Sequence, residues 1–212
     1  MKTRRIFSLS VGFGVIAIVA GVLLLVPSGR DVVQGVINNE PFANGRPMSY
    51  WIRELQDGDS ANRRTAINAV ADMGRDGTAA LPALEQIAKN DDIALRSWAI
   101  CKGMGSIGPA AVPALCELIK ERSLRTVVVT TMGQIGPEGK AAVPALIKAL
   151  KDEYPITRTM ACAALGNMGA AAQDAVPGLI EALKDRSVRV RNEAGIALQR
   201  VDPKAAAKAG IN

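Results

Sequence analysis

Three cysteines and one glycine-rich motif are the residues of this sequence whose types and spacing are suited to chemistry. Cys101, Cys116 and Cys162 show no CxxC spacing, and the chain contains no histidine that would activate a thiolate as a nucleophile. The absence of histidine also removes the histidine-dependent catalytic triads and most catalytic zinc sites. We therefore expect that this protein is not an enzyme and that it has no catalytic residue, no cofactor and no metal.

The glycine-rich motif covers residues 103–108 and matches the GxGxxG fingerprint of dinucleotide-binding proteins. That fingerprint requires a β-strand before the first glycine and a βαβ unit around it. Here a helical pattern precedes the motif, and Gly108-Pro109 recurs as Gly136-Pro137 in the next stretch of the chain. We interpret the motif as a turn between two helices.

The distribution of charge argues against nucleic acid as a partner. The chain has 26 basic and 20 acidic residues, which gives a formal net charge of +6. Lys2, Arg4, Arg5 and Arg30 lie within the first 30 positions and every acidic residue follows them, so residues 31–212 are nearly neutral. Because binding of nucleic acid needs a basic patch, we expect another protein as the partner.

An apolar run near the N-terminus predicts a membrane anchor. Residues 6–26 carry no charge over 21 positions, and basic residues precede them. A helix of this length spans about 30 Å, the thickness of the hydrocarbon core of a bilayer. The sequence therefore predicts a signal anchor at 1–30 that contacts lipid through residues 6–26. The positive flank places the N-terminus in the cytoplasm and residues 31–212 on the periplasmic side of the inner membrane.

The alternative is a signal peptide that is cleaved, which would make the protein secreted. Signal peptides have a shorter apolar core and a small-x-small cleavage site. The best such site here, Val26-Pro27-Ser28, has a proline at its centre. The length of the run and this proline favour the uncleaved anchor.

Residues 31–47 are rich in residues that form turns. They include Asn38-Asn39, Asn44-Gly45 and Pro47, and they show no sustained periodicity. We predict a linker between the anchor and a repeat domain at residues 48–212.

The predicted repeat domain is built from copies of one unit. Four copies share a tail of the type Ala-Val-Pro-Ala-Leu, centred on Pro82, Pro113, Pro144 and Pro177. A glycine-centred turn precedes each tail, and apolar residues on both sides recur at i, i+3, i+4 and i+7, the pattern of an amphipathic helix. A single hairpin of this size cannot bury its own apolar stripe, so adjacent copies must stack. The sequence predicts an all-α fold, an α-solenoid of about 4.5 helical hairpins, preceded by one transmembrane helix.

The repeat motif resembles that of a known family. Arg158–Gly169 reads Arg-x-x-Ala-x-x-Ala-Leu-x-x-Met-Gly, and residues 175–180 then read Ala-Val-Pro-Gly-Leu-Ile. This pattern resembles HEAT-like repeats of the phycobilisome-lyase type and extends over about residues 47–212. The resemblance implies the solenoid fold. Because such families include scaffolds, adaptors and lyase subunits, it leaves open a lyase-like enzyme or accessory subunit as the alternative function.

Acidic and basic residues recur together at the start of the first helices. An aspartate precedes an arginine by six residues in three copies, and an arginine alone holds the position in another. Because the acids recur with the arginines, we predict a structural ladder between repeats rather than an arginine row that binds phosphate. The predicted ladder residues are Asp57, Arg63, Arg125, Asp152, Arg158, Asp185 and Arg191.

Exposed positions of the second helices are the predicted partner-binding surface. An α-solenoid presents an extended concave surface that its second helices line. The predicted positions carry charges of both signs, which favours a mixed-charge protein surface as the partner. They are Glu85, Lys89, Glu117, Lys120, Lys148, Lys151, Glu181 and Lys184. The sequence as a whole thus predicts a non-catalytic scaffold, tethered to a membrane, that binds a protein.

Overall fold

The structure, a computed structural model, describes residues 27–211, and in this range helical hairpins follow one another in a row. The α-helices are α1 (Pro27–Ile37), α2 (Met48–Asp57), α3 (Ser60–Met73), α4 (Leu81–Asn90), α5 (Ile93–Trp98), α6 (Gly105–Ile107), α7 (Val112–Leu118), α8 (Arg125–Ile135), α9 (Val143–Ala149), α10 (Pro155–Met168), α11 (Val176–Ala182), α12 (Val188–Val201) and α13 (Pro203–Lys208). The other elements are 3-10 turns at Gly74–Ala80, Gly108–Ala111, Gly136–Ala142 and Gly169–Ala175, a π-helix at Ala99–Met104, and the strands β1 (Phe42–Ala43) and β2 (Arg46–Pro47).

Each repeat consists of a first helix, a 3-10 turn and a second helix. Repeat 1 is α3 and α4, repeat 2 runs from α5 to α7, repeat 3 is α8 and α9, repeat 4 is α10 and α11, and α12 with α13 forms a half repeat. The first helix ends at a glycine with positive φ, as at Gly108 (φ 81°), a conformation that strains any residue with a side chain. A proline then occupies the first turn of the second helix, where its missing N–H breaks no hydrogen bond. The predicted all-α solenoid of stacked hairpins is confirmed.

One continuous apolar core runs along the array. The leucine two positions after each repeat proline is fully buried, and the four residues are Leu84, Leu115, Leu146 and Leu179. Full burial of a leucine side chain contributes about 1.5–3 kcal/mol. Residues of the first helices pack against them, so the predicted 3.6-residue stripe is the surface that joins neighbouring repeats.

The first helices of repeats 3 and 4 and of the half repeat approach one another closely through small residues. A Cβ added at Gly133 would lie 2.7 Å from the Cα of Ala164, and one added at Gly166 would lie 3.0 Å from the Cα of Ala197. Only a glycine therefore fits at these two positions of α8 and α10 without moving the neighbouring helix.

Repeat 2 contains one residue more in its first helix than the other repeats. Arg96 precedes Gly108 by twelve residues, whereas Arg125 precedes Gly136 by eleven. The π-helix Ala99–Met104 absorbs this extra residue, and the core residues on both sides of it stay buried. The GxGxxG motif, interpreted from the sequence as a turn, therefore spans the end of the π-helix and α6, and only Gly108 belongs to the turn.

The segment predicted to be a linker, residues 31–47, contains regular structure. Most of α1 falls in it, and Phe42 and Ala43 pair antiparallel with Pro47 and Arg46. The Trp51 indole donates a hydrogen bond to the Ala43 carbonyl oxygen at 3.1 Å, which ties this hairpin to α2. Short-range periodicity did not reveal these elements because tertiary contacts with α2 stabilise them.

The predicted transmembrane helix at residues 6–26 lies outside the described residues. Within residues 27–211, one helical stretch, Ile93–Leu118, is long and apolar enough to cross a membrane by length and composition. This stretch is repeat 2, and Ile100, Met104 and Leu115 within it are buried in the core. Packing between repeats accounts for its apolar character.

Candidate functional site

The second helices lie beside one another and form a grooved surface, which we call the second-helix face. Open grooves separate α2 from α4, α7 from α9, and α9 from α11, with volumes of about 270, 590 and 850 Å³. Each groove ends at a predicted ladder arginine, which is Arg63, Arg125 or Arg158 respectively. The grooves are therefore equivalent gaps between neighbouring second helices, closed at one end by ion pairs.

A lysine occupies the same position in all four repeats, seven residues after the repeat proline, at or just beyond the end of the second helix. These residues are Lys89, Lys120, Lys151 and Lys184. Three of them pair with predicted partner-binding acids: Lys89 with Glu85 at 2.8 Å, Lys120 with Glu117 at 2.6 Å, and Lys151 with Glu181 at 3.0 Å. The hydrogen bond and charge of Lys120 hold the pKa of Glu117 below its ordinary value. Six of the eight predicted residues thus pair with one another on the face.

The two remaining predicted residues are cationic and differ from the other six. Within residues 27–211 the structure shows no carboxylate paired with Lys148 or Lys184, and both side chains are exposed. Lys148 lines the groove between α7 and α9, and Lys184 lines the groove between α9 and α11. Sequence spacing did not distinguish these two lysines from the paired ones, because the pairing depends on which acid the neighbouring repeat supplies.

The ladder residues meet at the edge of the array where each second helix connects to the next repeat. Arg63 contacts Asp91 at 2.9 Å, Arg125 contacts Asp152 at 3.0 Å, and Arg158 forms two hydrogen bonds to Asp185 at 2.7 and 2.8 Å. Each arginine therefore forms its ion pair with the acid that follows its own hairpin. Arg158 also donates to the backbone carbonyl oxygens of Asp152 and Glu153 at 2.9 and 3.2 Å.

The pair in repeat 4 is the most enclosed of these contacts. The side chains of Arg158 and Asp185 are 15% and 13% exposed. The guanidinium hydrogen bonds hold the pKa of Asp185 below its ordinary value, and the Asp185 carboxylate raises the pKa of Arg158. Arg191 continues the series without an acid, since it donates to the carbonyl oxygens of Asp185 and Arg186 at 2.8 and 3.2 Å.

Two ladder assignments from the sequence need correction. Asp57 is exposed, and within residues 27–211 it has no ion pair with an arginine; Asp59 is instead the residue that caps the next helix. Arg96, which the sequence analysis did not assign, pairs with Glu121 and holds the pKa of that glutamate low. Glu121 holds the position of Asp152 and Asp185, eight residues after the repeat proline, but it precedes Arg125 by four residues, so the six-residue spacing did not identify it.

The cysteines lie apart from the second-helix grooves, except for Cys116. Burial raises the pKa of the Cys162 thiol to about 12, and burial together with the nearby Glu117 raises that of Cys116. Both thiols therefore stay protonated at neutral pH and are poor nucleophiles. In the part of the chain that the structure describes, no cluster of three or more residues has the composition of a metal site.

The fold and the second-helix face define an α-solenoid of helical hairpins. The sequence profile of HEAT repeats matches residues 48–127 and 112–199, and the chain therefore belongs to the HEAT repeat family. A comparison with functionally curated proteins found no match.

Two solved structures are similar to this chain over most of its length. One is a chain in the complex of CpcE and CpcF of phycocyanin lyase from Nostoc sp. PCC7120, with 24% sequence identity, a TM-score of 0.57, and coverage of 78% of this chain and 70% of that chain. The other is an engineered protein, with 19% identity, a TM-score of 0.50, and coverage of 77% and 85%. At these identities the similarity shows the fold alone.

Proposed function

We propose that this protein is a non-catalytic binding module that takes up a protein partner on its second-helix face. The observation that carries the proposal is the series of open grooves along this face, bordered by charged side chains of both signs. Such a surface is extended and accessible, and it offers apolar contact area together with charged groups that orient a partner.

The distribution of shifted pKa values supports a binding role over catalysis. Catalytic sites bring titratable groups with shifted pKa values together in a cleft. Here the shifted groups are members of ion pairs, acceptors of backbone N–H hydrogen bonds at helix starts, or buried thiols, as Asp185, Asp202 and Cys162 illustrate. Each shift has a structural cause, and the groups are spread over the length of the array.

The similar CpcE–CpcF structure is itself a complex of two proteins, which supports a protein as the partner here.

The proposal includes a tether to the inner membrane, with the repeat domain on the periplasmic side. The apolar run at residues 6–26 and the basic residues before it support the tether. Helix α1, in the residues that follow this run, leaves Val36 and Ile37 66% and 70% exposed. Exposed aliphatic side chains close to the end of a spanning helix suit a position at the bilayer surface.

Site-specific photocrosslinking tests the binding face. The full chain, expressed in its own host, would carry a photoreactive amino acid at Lys148 on the second-helix face or at Lys102, an exposed residue of the first helix of repeat 2. We expect a defined crosslinked protein from position 148 and none from position 102. Crosslinking to the same protein from position 102 alone, or from neither position, contradicts the proposed face.

Mass spectrometry of the N-terminus of the membrane-bound protein tests the tether. We expect a chain that retains residues 1–30 and that stays in the membrane fraction after a high-salt wash. A mature N-terminus near Ser28 in the soluble fraction would show that the segment is a cleaved signal peptide.

A further inference from the structure

We propose that the groove between α7 and α9 binds a short acidic segment of the partner that also carries aliphatic side chains. This proposal rests on the proposed function and deepens it, because it assigns one of three equivalent grooves and the chemistry of the segment that fits it. The argument combines the apolar lining of the groove, its charge and its length.

Apolar side chains form the floor of this groove. Cys116 and Ile119 contribute from α7, and Ala145 and Ala149 contribute from α9. The position of Cys116 is occupied by Glu85 in repeat 1, so an apolar residue at this position is not common to all repeats. Aliphatic side chains of a ligand that cover this floor gain about 25 cal/mol for each Å² of apolar surface removed from water.

The lining of this groove contains more basic than acidic residues, unlike the linings of the other two. Its lining contains four basic residues (Lys120, Arg125, Lys148, Lys151) and two acidic residues (Asp152, Glu153). The groove between α9 and α11 has four of each sign, and the groove between α2 and α4 has one of each. Arg125, Lys120 and Lys151 already have carboxylate partners, so within residues 27–211 Lys148 is the cation of this lining that can attract a further carboxylate.

Lys148 is the residue that creates most of this difference. The equivalent positions in repeats 2 and 4 carry Glu117 and Glu181, each of which pairs with a lysine. In repeat 3 the acid is replaced by a lysine that has no carboxylate partner within residues 27–211. A carboxylate from another molecule would form an ion pair with Lys148 beside the apolar lining of the groove.

The groove also reaches a 3-10 turn, although the groove between α9 and α11 has the larger volume. Its lining runs from Arg125, at the loop end, to Ala141, in the 3-10 turn of repeat 3, whereas the other two grooves include no residue of a 3-10 turn. The turn of repeat 2 has four residues, whereas the other turns have seven, so fewer residues of the neighbouring turn lie next to Ala141. From Pro144 to Lys151 the surface spans about 10 Å, which fits two turns of a helix or three to four extended residues.

The chain itself supplies substitutions that should alter the groove without disturbing the fold. Cys116→Glu places in repeat 2 the glutamate that repeat 1 has at Glu85, and its i+4 neighbour is Lys120, which already pairs with Glu117. Lys148→Glu places in repeat 3 the residue that repeats 2 and 4 have. Lys184→Glu is the matched control, because it makes the same change of charge on the same face but in the neutral groove between α9 and α11. Thermal unfolding of each variant verifies that the fold is retained.

Fluorescence anisotropy with three labelled ten-residue peptides tests the proposal on the full, detergent-solubilised chain. The peptides alternate Glu with Leu, Glu with Ser, or Lys with Leu. We expect the Glu-Leu peptide to bind at least tenfold more tightly than the other two. Cys116→Glu and Lys148→Glu should each weaken its binding at least fivefold, and Lys184→Glu less than twofold. Equal binding of the three peptides, or equal effects of Lys148→Glu and Lys184→Glu, overturns the assignment.

Photocrosslinking in the host separates failure of this assignment from failure of the proposed function. The photoreactive amino acid is placed at Glu85 in the wild type and in the Cys116→Glu and Lys148→Glu variants. If a protein crosslinks equally well in all three, it binds the second-helix face outside this groove. That result overturns the groove and leaves the binding function standing. Crosslinking that is lost in both groove variants and retained in Lys184→Glu supports both.

Discussion

The C-terminal part of the array, from α8 to α12, repeats one geometry, whereas the N-terminal part, from α3 to α7, departs from it. In the C-terminal part, Arg125 and Arg158 each pair with the aspartate 27 residues later, and the first helices touch through glycine and alanine. In the N-terminal part, Arg96 pairs with Glu121, a π-helix interrupts the first helix of repeat 2, and its turn is three residues shorter.

The difference shows where a solenoid accommodates changes of length. The extra residue of repeat 2 is confined to a π-helix and the missing three to a turn, and the core leucines Leu84, Leu115 and Leu146 keep their equivalent places. Arg75 and Glu138, in the turns of repeats 1 and 3, form an ion pair across the shorter turn of repeat 2. The α7–α9 groove reaches Ala141 in the neighbouring turn of repeat 3. Irregularity in repeat 2 thus leaves the core intact and changes the surface.

Deletion of one residue from a first helix should give the largest contrast between the two parts. Deletion of Lys102 restores the eleven-residue spacing between Arg96 and Gly108, so the π-helix should become α-helix and the free energy of unfolding should change by less than about 1 kcal/mol. Deletion of Ala163, the equivalent residue of α10, rotates half of that helix by about 100° and moves Leu165 out of the core. We expect a loss of more than about 4 kcal/mol.

Chemical denaturation monitored by circular dichroism measures both deletions. If the Lys102 deletion destabilises the protein as much as the Ala163 deletion does, the π-helix is not the place where the extra residue is absorbed.

Removal of a ladder arginine should have the next largest effect. Arg158→Ala leaves the Asp185 carboxylate without its two charge-assisted hydrogen bonds in a site where both side chains are largely enclosed. We expect a loss of about 2–3 kcal/mol. Arg122→Ala removes an ion pair with Glu153 whose side chains are more than half exposed, and it should cost less than about 1 kcal/mol. Equal losses in urea denaturation would mean that enclosure does not strengthen the ladder.

Much of the repeat could be predicted from sequence because it depends on local chemistry. A glycine that reverses the chain, a proline in a first helical turn and a 3.6-residue apolar stripe each leave a signal within one hairpin, as at Gly169, Pro177 and Leu179. The pairing of Arg158 with Asp185 was harder to assign, because both acids near that arginine, Asp152 and Asp185, suit a ladder by spacing. Only the stacking of repeats decides between them.

The surface could be predicted only in part. The second-helix charges were found from the repeat positions, but the pairing of Lys151 with Glu181 depends on two neighbouring helices. The hairpin at residues 42–47 depends on the hydrogen bond from Trp51 to the Ala43 carbonyl oxygen. The periodicity of the sequence does not predict this contact. Contacts between distant residues, rather than local propensity, set both features.

Adding one methyl group between first helices should have a smaller effect that again differs between the parts. Gly133→Ala places a Cβ 2.8 Å from the Ala164 Cβ and 2.7 Å from its Cα, so α8 and α10 must separate, at a cost of about 1–3 kcal/mol. At Gly105, the nearest atom to an added Cβ is the Thr131 Cγ2 at 3.3 Å, the end of a side chain. Gly105→Ala should therefore be neutral or stabilising by up to about 1 kcal/mol, from its helix propensity. Thermal unfolding that ranks the two variants in the opposite order would contradict the close packing of α8 on α10.

The smallest expected effect is a difference in pH dependence between the two parts. The hydrogen bonds from Arg158 lower the pKa of Asp185 in the folded state, so the folded protein binds fewer protons at this carboxyl than the unfolded chain does. The stabilisation is therefore complete above the ordinary aspartate pKa, about pH 4, and is lost as the pH falls through the lowered value. The stability difference between the wild type and Asp185→Asn should be constant from pH 7 to pH 5 and shrink below pH 4.

Arg96 lowers the pKa of Glu121 in the same direction, but the Glu121 side chain is 42% exposed. Because solvent screens this pair, Glu121→Gln should show a weaker pH trend than Asp185→Asn. Urea denaturation of both variants at pH 3 to 7 compares them, and an equal or stronger trend for Glu121→Gln would show that the ladder is as tight in repeat 2 as in repeat 4.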